Sequence, residues 1–166
     1  MDRKATDEIV IVEADLASPT HARAVVDLID AYARDELGNG RPLASEVREA
    51  LIPALRQHPT TRILLAYDQD APVGAAICFL GFSTFAAKPL LNIHDLVVLP
   101  THRDRGIGRR LLTAVETKAR SSGCCKLTLE VLANNPRARH LYQSFGFAGS
   151  MLVPENGASE FWAKPL

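Results

Sequence analysis

The feature that most constrains this chain is the run Val97-Val98-Leu99-Pro100-Thr101-His102-Arg103-Asp104-Arg105-Gly106-Ile107-Gly108-Arg109-Arg110-Leu111-Leu112. A β-rich segment passes through a short glycine-containing loop and opens an amphipathic helix. Such a junction gathers backbone N–H groups with no intrahelical acceptor at the positive end of a helix, where an anion is favoured. Gly106 and Gly108 carry no side chain to hold a phosphate off the backbone. Arg103, Arg105, Arg109 and Arg110 add positive charge along the same stretch. On these residues alone, a capped surface helix with solvated arginines is an equal alternative. The loop lacks the Gly-Lys-Ser/Thr ending of a Walker loop and the three glycines of a dinucleotide-binding fingerprint.

The flanking chain is patterned as a single domain over residues 1–166. Ile9 to Glu13 reads as a strand. A helix follows from Ser18 or Thr20 to about Glu36, stopped at Gly38-Asn39-Gly40, with Ala22, Val25, Val26 and Ile29 as its apolar positions. A second helix after Pro42 carries Val47, Ala50, Leu51, Ala54 and Leu55 as a stripe, with Pro53 predicting a kink or a break. Arg62–Tyr67, Pro72–Phe85 and Leu91–Val98 read as three consecutive strands. Beyond the loop, Ile107, Leu111, Leu112, Val115 and Ala119 form one helical face, ended by Gly123. Lys126–Leu132 is a strand and Pro136–Phe145 a short helix. Ala148–Val153 and Phe161–Lys164 close the sequence as an antiparallel pair. The order β-α-α-β-β-β-α-β-α-β-β specifies an α+β fold.

Composition narrows the function. Nineteen basic and nineteen acidic residues balance to a net charge of zero, which predicts neither nucleic-acid nor membrane binding. The start is too acidic for a secretory leader, and no apolar run spans a bilayer. Cys78, Cys124 and Cys125 make a poor disulfide framework, which points to a reducing, cytoplasmic setting. Cys124 and Cys125 read as small apolar residues opening a buried strand. No Cys/His grouping has zinc-ligand spacing, so no metal is expected.

Arg103-x-x-Gly106-x-Gly108, after Asp95-Leu96-Val97-Val98-x-Pro100, resembles the acetyl-CoA loop of the GNAT acetyltransferase superfamily. Downstream, Asn134-Asn135-Pro136-Arg137-Ala138-Arg139-His140-Leu141-Tyr142-Gln143-Ser144-Phe145-Gly146-Phe147 is similar to that superfamily's Asn-x-x-Ala-x-x-Leu-Tyr-x-x-x-Gly-Phe pattern without a gap. The two motifs cover Leu91 to Phe147, while residues 1–90 match by layout only. The resemblance implies a mixed, mostly antiparallel sheet of about seven strands flanked by four helices. Within it, residues 1–90 would be the acceptor side, 91–147 the acetyl-CoA core and 148–166 the closing strands. It also implies an acetyl-CoA-dependent N-acyltransferase, with direct attack by a primary amine in a ternary complex and a homodimer as the common state. A silent acetyl-CoA-binding sensor of the same fold is the alternative.

The resemblance carries over residue by residue. The loop Arg103, Asp104, Arg105, Gly106, Ile107, Gly108 and Arg109 would hold the pyrophosphate, mainly by main-chain N–H groups. The main chain of Leu96, Val97 and Val98 would pair with the pantetheine arm, and one of these N–H groups would polarise the thioester carbonyl. Asn134 would fix backbone or water near the coenzyme, with Ala138 beside it. Tyr142 matches the tyrosine facing the sulfur, and is otherwise one aromatic of a helical stripe. An acceptor ammonium must lose its proton to react, and His94, Asp95 and Glu130 are the candidate bases. Strand alternation sets Asn92 and His94 opposite Asp95 unless a bulge shifts the parity. Asp27, Asp30, Asp35 and Glu36 would favour a cationic acceptor, or form a solvated helix face.

Overall fold

The computed structural model describes residues 9–149 and Lys164. Contacts divide the chain into two compact units, Met1–Leu132 and Ala133–Leu166. The first contains β1 (Ile9–Glu13), α1 (Pro19–Arg34), α2 (Ser45–Gln57), β2 (Thr61–Asp68), β3 (Ala71–Ser83), β4 (Lys88–Val98), α3 (Ile107–Ser121) and β5 (Leu127–Leu129). A single 3-10 turn, Pro100–His102, lies between β4 and α3. The second unit contains α4 (Pro136–Ser144). The expected closing strands fall largely on residues outside those described, and the described residues contribute five strands.

The sheet runs in chain order, β1-β2-β3-β4-β5. Its first three pairings are antiparallel and β4–β5 is parallel. Alternation along β3 assigns the two faces. Ala75 and Ile77 pack with Ala24, Val25 and Leu28 of α1. Gly74 lies beneath Leu111 of α3, on the opposite face. Ile107, Leu111, Leu112, Val115 and Ala119 are all buried, as their spacing predicts. Each of the four larger side chains stabilises the fold by roughly 1.5–3 kcal/mol through lost apolar hydration. Gly123, in the left-handed region at φ 70°, closes α3.

The two N-terminal helices correct the sequence reading. In α1 the buried residues are Ala24, Val25, Leu28, Asp30 and Ala33, so Ala22, Val26 and Ile29 lie on the flank of the stripe. Helix α2 is continuous through Pro53 and buries no residue. Ile52 and Leu55 lean on the core, while Val47, Ala50 and Ala54 face outward. Polar contacts hold it instead: Arg48 reaches Asp27 and Asp30, and the Arg56 guanidinium donates to the Leu16 carbonyl.

Asp30 and Asp35 are internal brackets, and neither is part of a solvated acidic face. Asp30 is buried and accepts from the Arg34 guanidinium and the Leu43 N–H while pairing with Arg48. Burial raises its carboxyl, but these donors outweigh burial and hold it below the usual carboxylate range. Its stabilising effect is therefore present above the ordinary carboxylate pKa and lost as pH falls through the depressed value. Cys124 is half-buried and Cys125 exposed, in the turn before β5. The strand is shorter than expected and begins after both.

Candidate functional site

Strands β4 and β5 pair only over Leu91↔Leu127, Asn92↔Thr128 and Ile93↔Leu129. From His94 onward β4 continues without β5, and Asn92 joins the strands at the fork by donating to Thr128 Oγ1 at 3.1 Å. The Leu99 N–H donates to the Val73 carbonyl. Antiparallel alternation then turns the N–H groups of Leu96 and Val98 away from β3, and that of Val97 toward it. Among the described residues, Leu96 and Val98 thus present main-chain donors on an open strand edge. The Val98 carbonyl, on the same edge, accepts from Arg103 Nε at 3.2 Å.

The fork coincides with a β-bulge. Ile93 pairs with Cys78 and Asp95 with Ile77, leaving His94 as the extra residue of β4. Because Asn92 pairs with Phe79 and Asp95 with Ile77, the bulge brings Asn92 and Asp95 to one face, the face covered by α1. His94 is exposed, and its ring meets Phe79 edge-on at 5.6 Å. Asp95 is half-buried. Desolvation pushes its carboxyl up, and the neighbouring His94 pulls it partway back. On α1, the Tyr32 phenol is raised by burial and then by the charges of Asp95 and Asp35. The buried Cys78 thiol is pushed up to about 12 by desolvation and by Asp95, so it stays protonated and is no nucleophile.

The loop after β4 has the backbone its glycines predict. Asp104 and Gly106 are both left-handed, at φ 63° and 76°. The Arg110 N–H bonds to the Gly106 carbonyl, so the N–H groups of Gly106, Ile107 and Gly108 precede the first intrahelical bond of α3. The arginines diverge from the expected cluster. Arg103 Nη2 reaches Asp35 Oδ2 at 2.6 Å, and Arg105 Nη1 reaches Asp68 Oδ2 at 2.9 Å. Arg110 leaves the loop to bond the Ile9 carbonyl at the far edge of the sheet. His102 Nε2 also lies 3.6 Å from Asp68. Two carboxylates, one on the C-cap of α1 and one at the end of β2, therefore brace the loop.

The sequence reading missed Asp68 and placed Asp35 only on an acidic helix face, because no local pattern links them to a loop 37 and 68 residues away. Glu130 is exposed and lies just past the end of β5. In the second unit Asn135 caps α4, its side chain accepting from the Ala138 N–H at 3.0 Å, while Asn134 is exposed. Tyr142 is the buried residue of α4, edge-on to Phe147 at 5.8 Å.

Residues 23–147 match the family model of the Acetyltransferase (GNAT) family. An uncharacterized N-acetyltransferase, YhfO of Bacillus subtilis, is 32% identical over 99 residues, covering 60% of this chain and 66% of that protein. The thialysine N-epsilon-acetyltransferase of Bos taurus is 34% identical over 74 residues, 45% of this chain and 43% of the relative. The chain thus spans less than two thirds of either relative. A crystal structure of a probable acetyltransferase superposes with a TM-score of 0.78 at 19% identity, covering 95% of this chain and 97% of that one. The chain belongs to the GNAT acetyltransferase family.

Proposed function

We propose that this protein moves the acetyl group of acetyl-CoA to a primary amine, by direct attack of the amine within a ternary complex. The observation that carries the reading is the parting of β4 and β5 at Ile93, which ends in a left-handed loop at the N-terminus of α3. An extended arm fits an open strand edge, and a pyrophosphate fits the main-chain donors of such a loop. Leu96 and Val98 supply the N–H groups for the pantetheine amides, and one of them polarises the thioester carbonyl. The stretch Arg103 to Arg109 holds the pyrophosphate, with Arg103 and Arg105 setting the loop's shape through Asp35 and Asp68. The resemblance to the family also assigns Asn134 and Ala138, at the start of α4, to the coenzyme.

Tyr142 is assigned to the departing sulfur. A phenol is a weaker acid than a thiol, so complete proton transfer to the thiolate is uphill by about 2 kcal/mol. Hydrogen bonding to the sulfur is the role that fits. Tyr142→Phe is expected to lower kcat about tenfold, with acetyl-CoA affinity nearly unchanged, because the bond matters only as charge develops. An unaltered kcat would reduce Tyr142 to packing.

His94 and Asp95, adjacent at the bulge, are the candidate bases for the proton of the acceptor ammonium, with Glu130 as a third. The pH profile separates them. A base works above its pKa, so activity falls as pH drops through that value. With His94 as base, His94→Ala removes the acidic limb. With Asp95 as base, the same change moves the limb to higher pH, since His94 lowers the Asp95 carboxyl. An unmoved limb assigns the proton to Glu130 or to water. Thiol release across aliphatic amines, arylalkylamines, amino acids and peptides tests the transferase reading as a whole. Acetyl-CoA binding without release from any of them would favour a sensor.

A further inference from the structure

The acceptor face has a composition of its own. From the C-cap of α2, the His58 ring meets Phe79 edge-on at 5.0 Å, and Phe79 in turn meets His94 at 5.6 Å. His58 and His94 are exposed and Phe79 is half-buried, so the three rings form a strip open to solvent along the α1–α2 side of β3 and β4. The strip ends at the bulge, beside Asp95. Among the described residues, no lysine or arginine pairs with Asp95, and the charged neighbour that acts on it is His94. Arg103, which reaches α1 from the loop, is engaged by Asp35 at 2.6 Å. The face therefore offers ring surface and, among the described residues, one carboxylate lacking a guanidinium or ammonium partner.

We infer that the acceptor is a primary arylalkylamine with no carboxylate beside its amine, its ring on the His58–Phe79–His94 strip and its ammonium at Asp95. This rests on the amine-acetylation reading and adds the substrate class. Ring-on-ring contact favours an aryl body by offset or edge-to-face packing. The Asp95 carboxylate favours the cation and repels an acceptor that carries its own carboxylate on the same carbon. Phe79 is the specificity-determining residue, since it contacts both histidines.

The test titrates phenethylamine, L-phenylalanine and propylamine into the full chain, following the His58 and His94 ring resonances by NMR, with thiol release measured in parallel. Phenethylamine is expected to shift both rings, with kcat/KM about tenfold above either competitor. Phe79→Leu, which keeps an apolar side chain of similar bulk, is expected to raise KM for phenethylamine about fivefold, in line with the worth of one aromatic contact. KM for propylamine should rise less than KM for phenethylamine, so that the loss tracks the ring of the acceptor. His58→Ala, at an exposed position, gives a second variant with the same expected split. Turnover of L-phenylalanine equal to that of phenethylamine, or acetylation of phenethylamine without movement of either ring, overturns the inference while acetyl transfer stands. Ring shifts without thiol release from any amine keep the strip as an arylalkylamine site and count against transfer. Neither shifts nor release sinks both.

Discussion

Gly108→Asp is expected to weaken acetyl-CoA binding by about a hundredfold or more while leaving the fold intact. Gly108 is the second residue of α3, within the first turn that follows the left-handed Gly106. A carboxylate there meets the pyrophosphate charges at short range. A like-charge pair at about 4 Å costs about 1 kcal/mol in water and about 4 kcal/mol at the effective dielectric of a protein surface. Three kcal/mol corresponds to roughly two decades in Kd. The added bulk also denies the phosphate its approach to the backbone. Calorimetric titration checks the effect, with circular dichroism confirming that the helix persists. Gly108→Ala adds bulk without charge and should lie between the two. An affinity unchanged in Gly108→Asp would remove the pyrophosphate from this loop.

The second large effect is on stability. A Cβ built on Gly74 lies 2.9 Å from the Val97 carbonyl oxygen and 3.3 Å from Leu111 Cδ1. The first contact is with backbone of the neighbouring strand, which cannot rotate away, and the second is with the central residue of the α3 stripe. Gly74→Val should therefore push α3 off the sheet, or β3 from β4, at a cost of about 3 kcal/mol, the upper range for an overpacked core. For a chain of this size that lowers Tm by roughly 6–12 °C. A smaller loss is expected for Gly74→Ala, which brings the Cβ but not the branch. A Tm within a degree or two of the parent for Gly74→Val would mean that the strand and helix yield at no cost.

The parts of the fold legible in the sequence are those where one face alone determines burial. Helix α3 lies across the sheet with a single apolar stripe, and its five buried residues follow from a 3.6-residue period. The loop was legible for a related reason, since only glycine and short polar residues tolerate its backbone. Helices α1 and α2 were misphased because their inward faces are partly polar. Asp30 points into the protein and is satisfied by Arg34, Arg48 and the Leu43 N–H, so hydropathy assigned it outward. Helix α2 has no buried residue to register. The bulge at His94 has no local signature, because it depends on the register of β3 against β4, yet it decides which of Asn92, His94 and Asp95 share a face. The braces Asp35–Arg103 and Asp68–Arg105 join residues far apart in the chain, and charge counting read the arginines only as positive charge around the loop. The role given to Tyr142 rests on resemblance alone, since a buried aromatic in a helical stripe reads equally as core.

The most direct test of the central claim is a titration of acetyl-CoA into isotope-labelled protein, followed by backbone amide NMR. The account predicts saturable binding in which the largest shifts fall on the N–H groups of Leu96, Val98, Gly106, Ile107 and Gly108. Val97, whose N–H faces β3, should move less than its two neighbours. Binding that leaves the β4 edge and the loop unperturbed, or no binding at all, would contradict it.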